Sequence, residues 1–488
     1  MAQVRLPTFE RRHTPTHGEF LHPAEDRDLI DFFAFRNDRM ADAMIRIAGI
    51  VKGASSLKRP VLFFYGYTFE INNGLIEGGH ARWSRLLACD DIDLFCAPTA
   101  YFGRWPGHAG YFHAPVDSVA LHGKMWFNED DVRTYLIPGA KGRWTPRDLK
   151  QNIDNYERNF AHLFVRRMGC WYMDLLGRGW LNDPELWRGI GQLNVFWEKH
   201  KDDPVTFAPD IAIIADERSP YFMPHVRNNR GPSVNGPLLG QLRGKLGGVG
   251  APVGYYLLPD FLADRIDAKV YVFLNAFAVT GAERKRFHEI LKRRGATAVW
   301  LYGPGYVDPE RKVLGTEGIS ALTGMATAQL AHPVPDTLRP VGGMTQLTGP
   351  GSETFGTGYS TIKSQWGILP GDSVTPLAVY ETEPGTIGAA MTKRLGFTSI
   401  HIAGLSVSTE LMRGIARQAG VWIYCDSGDA IVADDRFLMI HAASDGLKTI
   451  RLPVPRTVRD CLTDEVLVQG DVLKIKMKAT ETRLLRFE

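Results

Sequence analysis

The sequence predicts an α/β protein in three parts: half of an eight-fold (β/α)8 TIM barrel over residues 1–200, an open doubly wound α/β module with a β-rich insertion over 205–425, and a small antiparallel β-sandwich-like unit over 430–488. Three observations carry this. From residue 38 to about 199, short β-rich runs alternate with amphipathic stretches, the signature of parallel α/β architecture. A second series of strand-like runs follows the polar, proline-punctuated segment EKHKDDPVTFAPD. Near the end, Leu473, Ile475 and Met477 alternate with Lys474, Lys476 and Lys478, the period of two that marks a half-buried strand.

Each element has a local reason. Met40, Met44, Ile47 and Val51 recur at helical spacing, so a helix with one apolar stripe is expected there. PVLFFYGY, opened by Pro60, reads as a buried strand; a short helix around HARWSRLLA leads to a second strand, DLFCAPTAY, and a third is expected in SVALHGKMWF. Thr145 and Pro146 have the chemistry of an N-cap and first turn before a helix whose Leu149, Ile153, Tyr156, Phe160 and Leu163 share a face. GCWYMDL supplies a fourth strand, and Asp183-Pro184 starts a closing helix with Leu186, Ile190, Leu193 and Trp197 on one side. A complete barrel takes about 250 residues. With 59 residues ahead of the first strand, the other four strand and helix units are expected from upstream sequence or a separate chain.

In the second part, strands are expected at DIAIIAD, VGYYLL, KVYVFLN and TAVWLYG, and helices at GPLLGQLRGKL, AERKRFHEILKRRG and VSTELMRGIARQAG. The Gly-, Thr- and Pro-rich stretch from about 330 to 400 reads as strand and loop. No fixed-period repeat interrupts this order.

Composition narrows the function classes. The 57 basic and 54 acidic residues leave a net charge of +3, too little field to select nucleic acid or an anionic membrane. No run approaches the roughly 18 apolar residues of a membrane span and the first residues lack a signal core, so a cytoplasmic protein is expected. Five dispersed cysteines show no metal spacing, and His80, His108 and His113 lack a helical pairing with a carboxylate, so neither a metal nor another cofactor is expected.

In parallel barrels the chemistry sits at the C-terminal strand ends. Glu129, at the end of the third strand-like run, is therefore the candidate catalytic carboxylate, with His122, Lys124 and Trp126 in the same segment as candidate substrate contacts. Tyr65 and Tyr67 follow the first strand, Tyr101 and Arg104 the second, and Trp171 and Asp174 lie at the fourth. Aromatic faces pack on pyranose rings while Tyr, Asp and Arg give directional hydrogen bonds, so a carbohydrate substrate fits. Each residue also has a plain structural reading: an aromatic under a helix, a capping acid, a surface ion pair among Asp130, Asp131 and Arg133.

The segments FFYGY (63–67), DIDLFCAPTAY (91–101), LHGKMWFNEDDVRT (121–134) and WYMDLLGRGWLNDPELW (171–187) resemble the fifth to eighth barrel strands of clan A glycoside hydrolases, nearest to the family 42 β-galactosidases. The resemblance implies that Glu129 is the nucleophile of a retaining glycosidase and that Tyr101 and Trp171 line the sugar subsite. It implies that 205–425 is a glutamine-amidotransferase-like trimerisation domain, making a homo-oligomer or a complex with an upstream half-barrel the expected assembly. The family's acid/base, a Glu after the fourth barrel strand, has no match in the chain; Glu10, Glu19 and Glu70 are nearest in sequence but lie in other settings. Residues 171–424 contain no Cys, so amidotransferase chemistry, which needs a Cys nucleophile on a tight turn, is not expected. The alternative to a glycosidase is a non-catalytic fragment or pseudoenzyme that retains carbohydrate contact or oligomerises.

Overall fold

The computed structural model describes residues 6–70, 76, 78–137, 145–223 and 234–488. After a short α1 (Phe9–His13), the long α2 (Arg27–Ala54) leads into β1 (Leu62–Phe64), α3 (Trp83–Leu87), β2 (Leu94–Pro98), α4 (Val116–Leu121), β3 (Met125–Asp130), α5 (Leu149–Phe164), β4 (Gly169–Tyr172) and α6 (Pro184–His200). The four strands pair in sequence order and all are parallel. This is an open, four-stranded parallel sheet with β1 and β4 as its edges among the described residues, in the place where the sequence predicts a half-barrel.

Gly66 sets the close packing just after β1. A Cβ there would stand 2.4 Å from the Ala97 methyl and 2.9 Å from the Trp126 ring. The concave face is uncovered in part: Leu62, Phe64, Met125 and Trp171 are each more than 40 % exposed, but Cys96, Pro98 and Glu129 on the same face are buried, as are Phe95, Trp126 and Asn128 on the face beneath the helices.

Three local expectations need correction. Ser118 to Leu121 lie in α4, and the third strand begins at Met125 after the turn His122-Gly123-Lys124. The cap of α5 is Asp148, whose carboxylate accepts the Gln151 N–H at 2.9 Å, not Thr145. The stripe placed on α2 is two stripes: Ile30, Phe33, Ala41, Met44 and Ala48 are buried, whereas Met40, Ile47 and Ile50 face outward. Asp183, by contrast, caps α6 as its sequence suggests, accepting the Glu185 N–H at 2.7 Å ahead of Pro184.

The second part contains β5 (Ile211–Ala215), β6 (Val253–Leu257), β7 (Val270–Phe273) and β8 (Thr297–Leu301). They form a parallel sheet in the order β6-β5-β7-β8, continued in parallel by Phe397–Ile402. Antiparallel strands from the 337–394 region extend the far edge. One hydrophobic core runs through the half-barrel and this module, from Phe33 and Trp83 to Val272 and Ile402. The polar linker therefore joins two units that bury each other's surface.

The terminal part is a single five-stranded antiparallel sheet curled around one core, instead of a two-sheet sandwich. It packs on α5, where the Thr482 N–H donates to Asp154 Oδ1 at 2.9 Å and Thr482 Oγ1 donates to the Asp154 carbonyl.

Candidate active site

Strand alternation puts Met125, Phe127 and Glu129 on the concave face of β3 and hides Trp126, Asn128 and Asp130 behind it. In register, Glu129 stands between Pro98 of β2 and Trp171 of β4. The Trp171 indole is 43 % exposed and its N–H reaches the Cys96 thiol on the same face. Burial, opposed by that contact and reinforced by the charge of Glu129, pushes the Cys96 thiol up to about 11.

The loop after β2 brings cation and phenols to the same rim. Arg104 donates to Asp131 Oδ1 at 2.5 Å and lies over the Tyr101 ring at 4.7 Å. The Tyr67 and Tyr101 hydroxyls are 3.5 Å apart, and both phenols are held protonated, first by burial and then by surrounding groups that include Glu129 and Asp131. Burial and the neighbouring Asp131 raise the Glu129 carboxyl above its usual range, with Arg104 pulling it back. Asp131 is also raised by burial, against the same guanidinium.

A buried hub anchors this rim. Glu70 accepts the N–H groups of Tyr101 and Phe102 at 2.5 and 3.1 Å and pairs with Arg243 at 2.8 Å, both side chains fully buried. His113, also fully buried, sets its ring against Tyr101 at 4.6 Å and Tyr67 at 5.1 Å; burial and the nearby Arg243 and Arg104 keep it neutral. Glu70 is thus consumed in positioning the 101–104 loop. Glu19 accepts the Lys363 N–H at 3.1 Å, and Glu10 lies on α1.

The structure brings Glu129, Tyr67, Tyr101, Arg104 and Trp171 together, and five other sequence candidates lie elsewhere. His122 and Lys124 precede β3, at the end opposite Glu129: His122 Nε2 is 2.8 Å from Asp260 Oδ1, and the Lys124 ammonium donates to the carbonyls of Cys89 and Ile92 at 2.7 Å. Trp126 is fully buried on the helix side. Tyr65 is 1 % exposed and its hydroxyl accepts the Arg82 N–H at 3.0 Å. The Asp174 carboxylate closes its own loop, accepting from the backbones of Arg178, Gly179 and Trp180. Conversely, Asp131 and His113 belong to the site, although in sequence one reads as a surface charge and the other as a stray imidazole. Asp131 lies just past the end of β3, and its 2.5 Å pairing with Arg104 is what brings it to the rim.

Solved structures match nearly the whole chain. A β-galactosidase from Rahnella sp. R3 superposes with a TM-score of 0.65 at 13 % identity, covering 94 % of this chain and 68 % of its own. One from Halorubrum lacusprofundi gives 0.62 at 14 % identity, with 97 % and 69 % covered; a catalytic mutant of Gan42B, a GH42 β-galactosidase from G. stearothermophilus, gives 0.63 at 13 %, with 97 % and 69 %. The fold is that of the family 42 β-galactosidases. At these identities the likeness is one of fold, and no family model or curated protein matches the sequence. Among the described residues, no helix of this family 42 fold is long and apolar enough to cross a membrane.

Proposed function

We propose that the chain is the nucleophile-bearing part of a retaining glycoside hydrolase acting on β-galactoside-like sugars. The observation that carries this is the position of Glu129: at the C-terminal end of a parallel strand, on the concave face, with Trp171 beside it in register and Tyr67, Tyr101, Arg104 and Asp131 around the rim. In this scheme Trp171 stacks on the sugar, the rim groups bond its hydroxyls, and Glu129 Oε attacks the anomeric carbon as the glycosidic bond breaks. Water later releases the sugar from the ester.

The two register neighbours of Glu129 are Pro98 and Trp171, so no carboxylate faces it from an adjacent strand position. Leaving-group protonation, worth typically about 10²- to 10⁴-fold, is assigned to a complementary half-barrel seated against the open face, from preceding sequence or another chain. The amidotransferase-like module is assigned to oligomerisation, as a trimer by likeness to the family.

An activated 2-deoxy-2-fluoro-β-galactoside tests the nucleophile without needing the acid, because its leaving group departs unprotonated. Intact-mass measurement is expected to show one glycosyl adduct on the wild-type chain, mapped to Glu129, and none on Glu129→Gln. An adduct elsewhere, or no adduct on a folded chain that still binds galactose, removes the assignment. The second outcome supports the reading as a non-catalytic carbohydrate contact.

A further inference from the structure

We propose a second carbohydrate-binding site, remote in chain position from Glu129, at the junction of the doubly wound module and the terminal sheet, with Trp422 as its platform. The ligand class, a chain of neutral pyranoses, rests on the function proposed above; the site itself rests on its geometry.

Trp422 follows helix Thr409–Gln418 on the segment that crosses into the terminal sheet. Its indole is 42 % exposed, yet it is fixed, since its N–H donates to the Arg451 carbonyl at 2.9 Å. A half-exposed, immobilised indole presents a flat apolar face without the entropic cost of ordering it on binding.

Trp422 lines two concave surfaces. One cavity, of about 260 Å³, is walled by Trp422, Tyr424 and Phe487 and carries Asp434 and Arg456; a second, of about 330 Å³, is again lined by Trp422 and Tyr424 and carries Arg451. The rim of the first comes from an interruption of the ladder between strands Gly446–Asp460 and Val466–Met477. Pairing stops after Arg451 and resumes at Arg456, and Pro453 and Val454 project into solvent from the gap. Prolines cannot donate to a ladder, so LPVP enforces this break.

The polar groups of the first cavity are available. Arg456 forms no ion pair or side-chain hydrogen bond among the described residues, its neighbour in charge being the Tyr424 phenol. Asp434 accepts the N–H groups of Arg436 and Phe437, both at 2.9 Å and both through Oδ1, and among the described residues its Oδ2 accepts no hydrogen bond. A guanidinium and a carboxylate oxygen in one aromatic-walled cavity match the donor and acceptor needs of sugar hydroxyls. An apolar ligand would strip water from both without replacement, and Asp434 and Asp435 together disfavour an anion. Because Trp422 lines both cavities, a chain of several rings can lie across it.

Affinity electrophoresis of the full chain in gels containing soluble β-linked galactan tests this. Wild type and Glu129→Gln are expected to be retarded equally, Trp422→Ala to bind about tenfold more weakly, Trp422→Phe to fall between, and Arg456→Ala to lose several-fold. Circular dichroism would confirm that each variant is folded. Equal retardation of Trp422→Ala and wild type, loss of retardation in Glu129→Gln, or no retardation of wild type would overturn the site. So would Trp422-dependent binding of a proline-rich peptide with no response to galactan. The glycosyl adduct at Glu129 reads the proposed function independently of all these outcomes.

Discussion

At the scale of residues, the electrostatics of the rim follow from three groups. Glu129 must be ionised to attack, yet burial and the like charge of Asp131 raise its carboxyl while Arg104 lowers it. The rate of glycosyl-adduct formation should therefore fall on the acid side at a higher pH than for an ordinary glutamate. Asp131→Asn removes the like charge and frees Arg104 from its 2.5 Å pairing, so the acid limb is expected to move to lower pH. Arg104→Gln should move it upward. A pH profile of adduct formation for the three proteins checks both signs; a shift of Asp131→Asn toward higher pH would contradict the arrangement. Glu129 is legible in the sequence because a carboxylate at the end of an apolar run is a local pattern. Asp174 carries a similar local signal but closes its own loop, because the donors that reach a carboxylate are fixed by backbone conformation downstream of it.

At the scale of elements, helix periodicity is a good guide where one face is buried and misleads where two are apolar. Met40 and Ile47 of α2 fall at helical spacing with Met44, but they form a separate outward stripe with Ile50. On α5, nearly the whole circumference is buried, since one side packs on the half-barrel and the other on the terminal sheet. That burial traps Glu157, whose carboxyl is pushed to about 8, first by desolvation and then by Asp154, with Lys150 and Arg483 opposing and Asp460 adding. The unfolded chain loses this proton near 4.5 and the folded chain near 8, so the folded state holds the extra proton between them and stability falls as pH rises through that window. Glu157→Gln should change little at pH 5 and stabilise by roughly 2–4 kcal/mol at pH 8 to 9. Thermal melts of both proteins across that range test it; an unchanged difference between pH 5 and 9 would show that Glu157 is solvated.

At the scale of the molecule, the open half-barrel is the dominant fact. Leu62, Phe64 and Met125 on the concave face, and Ile47 and Ile50 on α2, expose apolar surface, and β1 and β4 are strand edges unpaired among the described residues, an arrangement that invites association. The second module meets α4 and also α2, and the terminal sheet meets α5 and also α6, all of them helices. The isolated chain is expected to bind the dye ANS and to self-associate in sedimentation, and Phe64→Ser with Ile47→Glu to reduce both without lowering the melting temperature. Undiminished dye binding in that variant would place the exposed apolar surface elsewhere.

Most of the succession of elements, from the strands and helices of the first part through the doubly wound module to the terminal sheet, was determined by the sequence alone, because periods of 3.6 and 2 are written in neighbouring residues; α4, read in sequence as the start of the third strand, is the exception. Only the tertiary structure decided which end of a strand a residue occupies. His122, Lys124 and Glu129 lie within eight residues, yet the start of β3 at Met125 sends the first two to the opposite end of the sheet. It also decided that Trp171 stands beside Glu129 while Trp126 is buried, since parallel register and the alternation of strand faces are fixed by pairing partners distant in sequence.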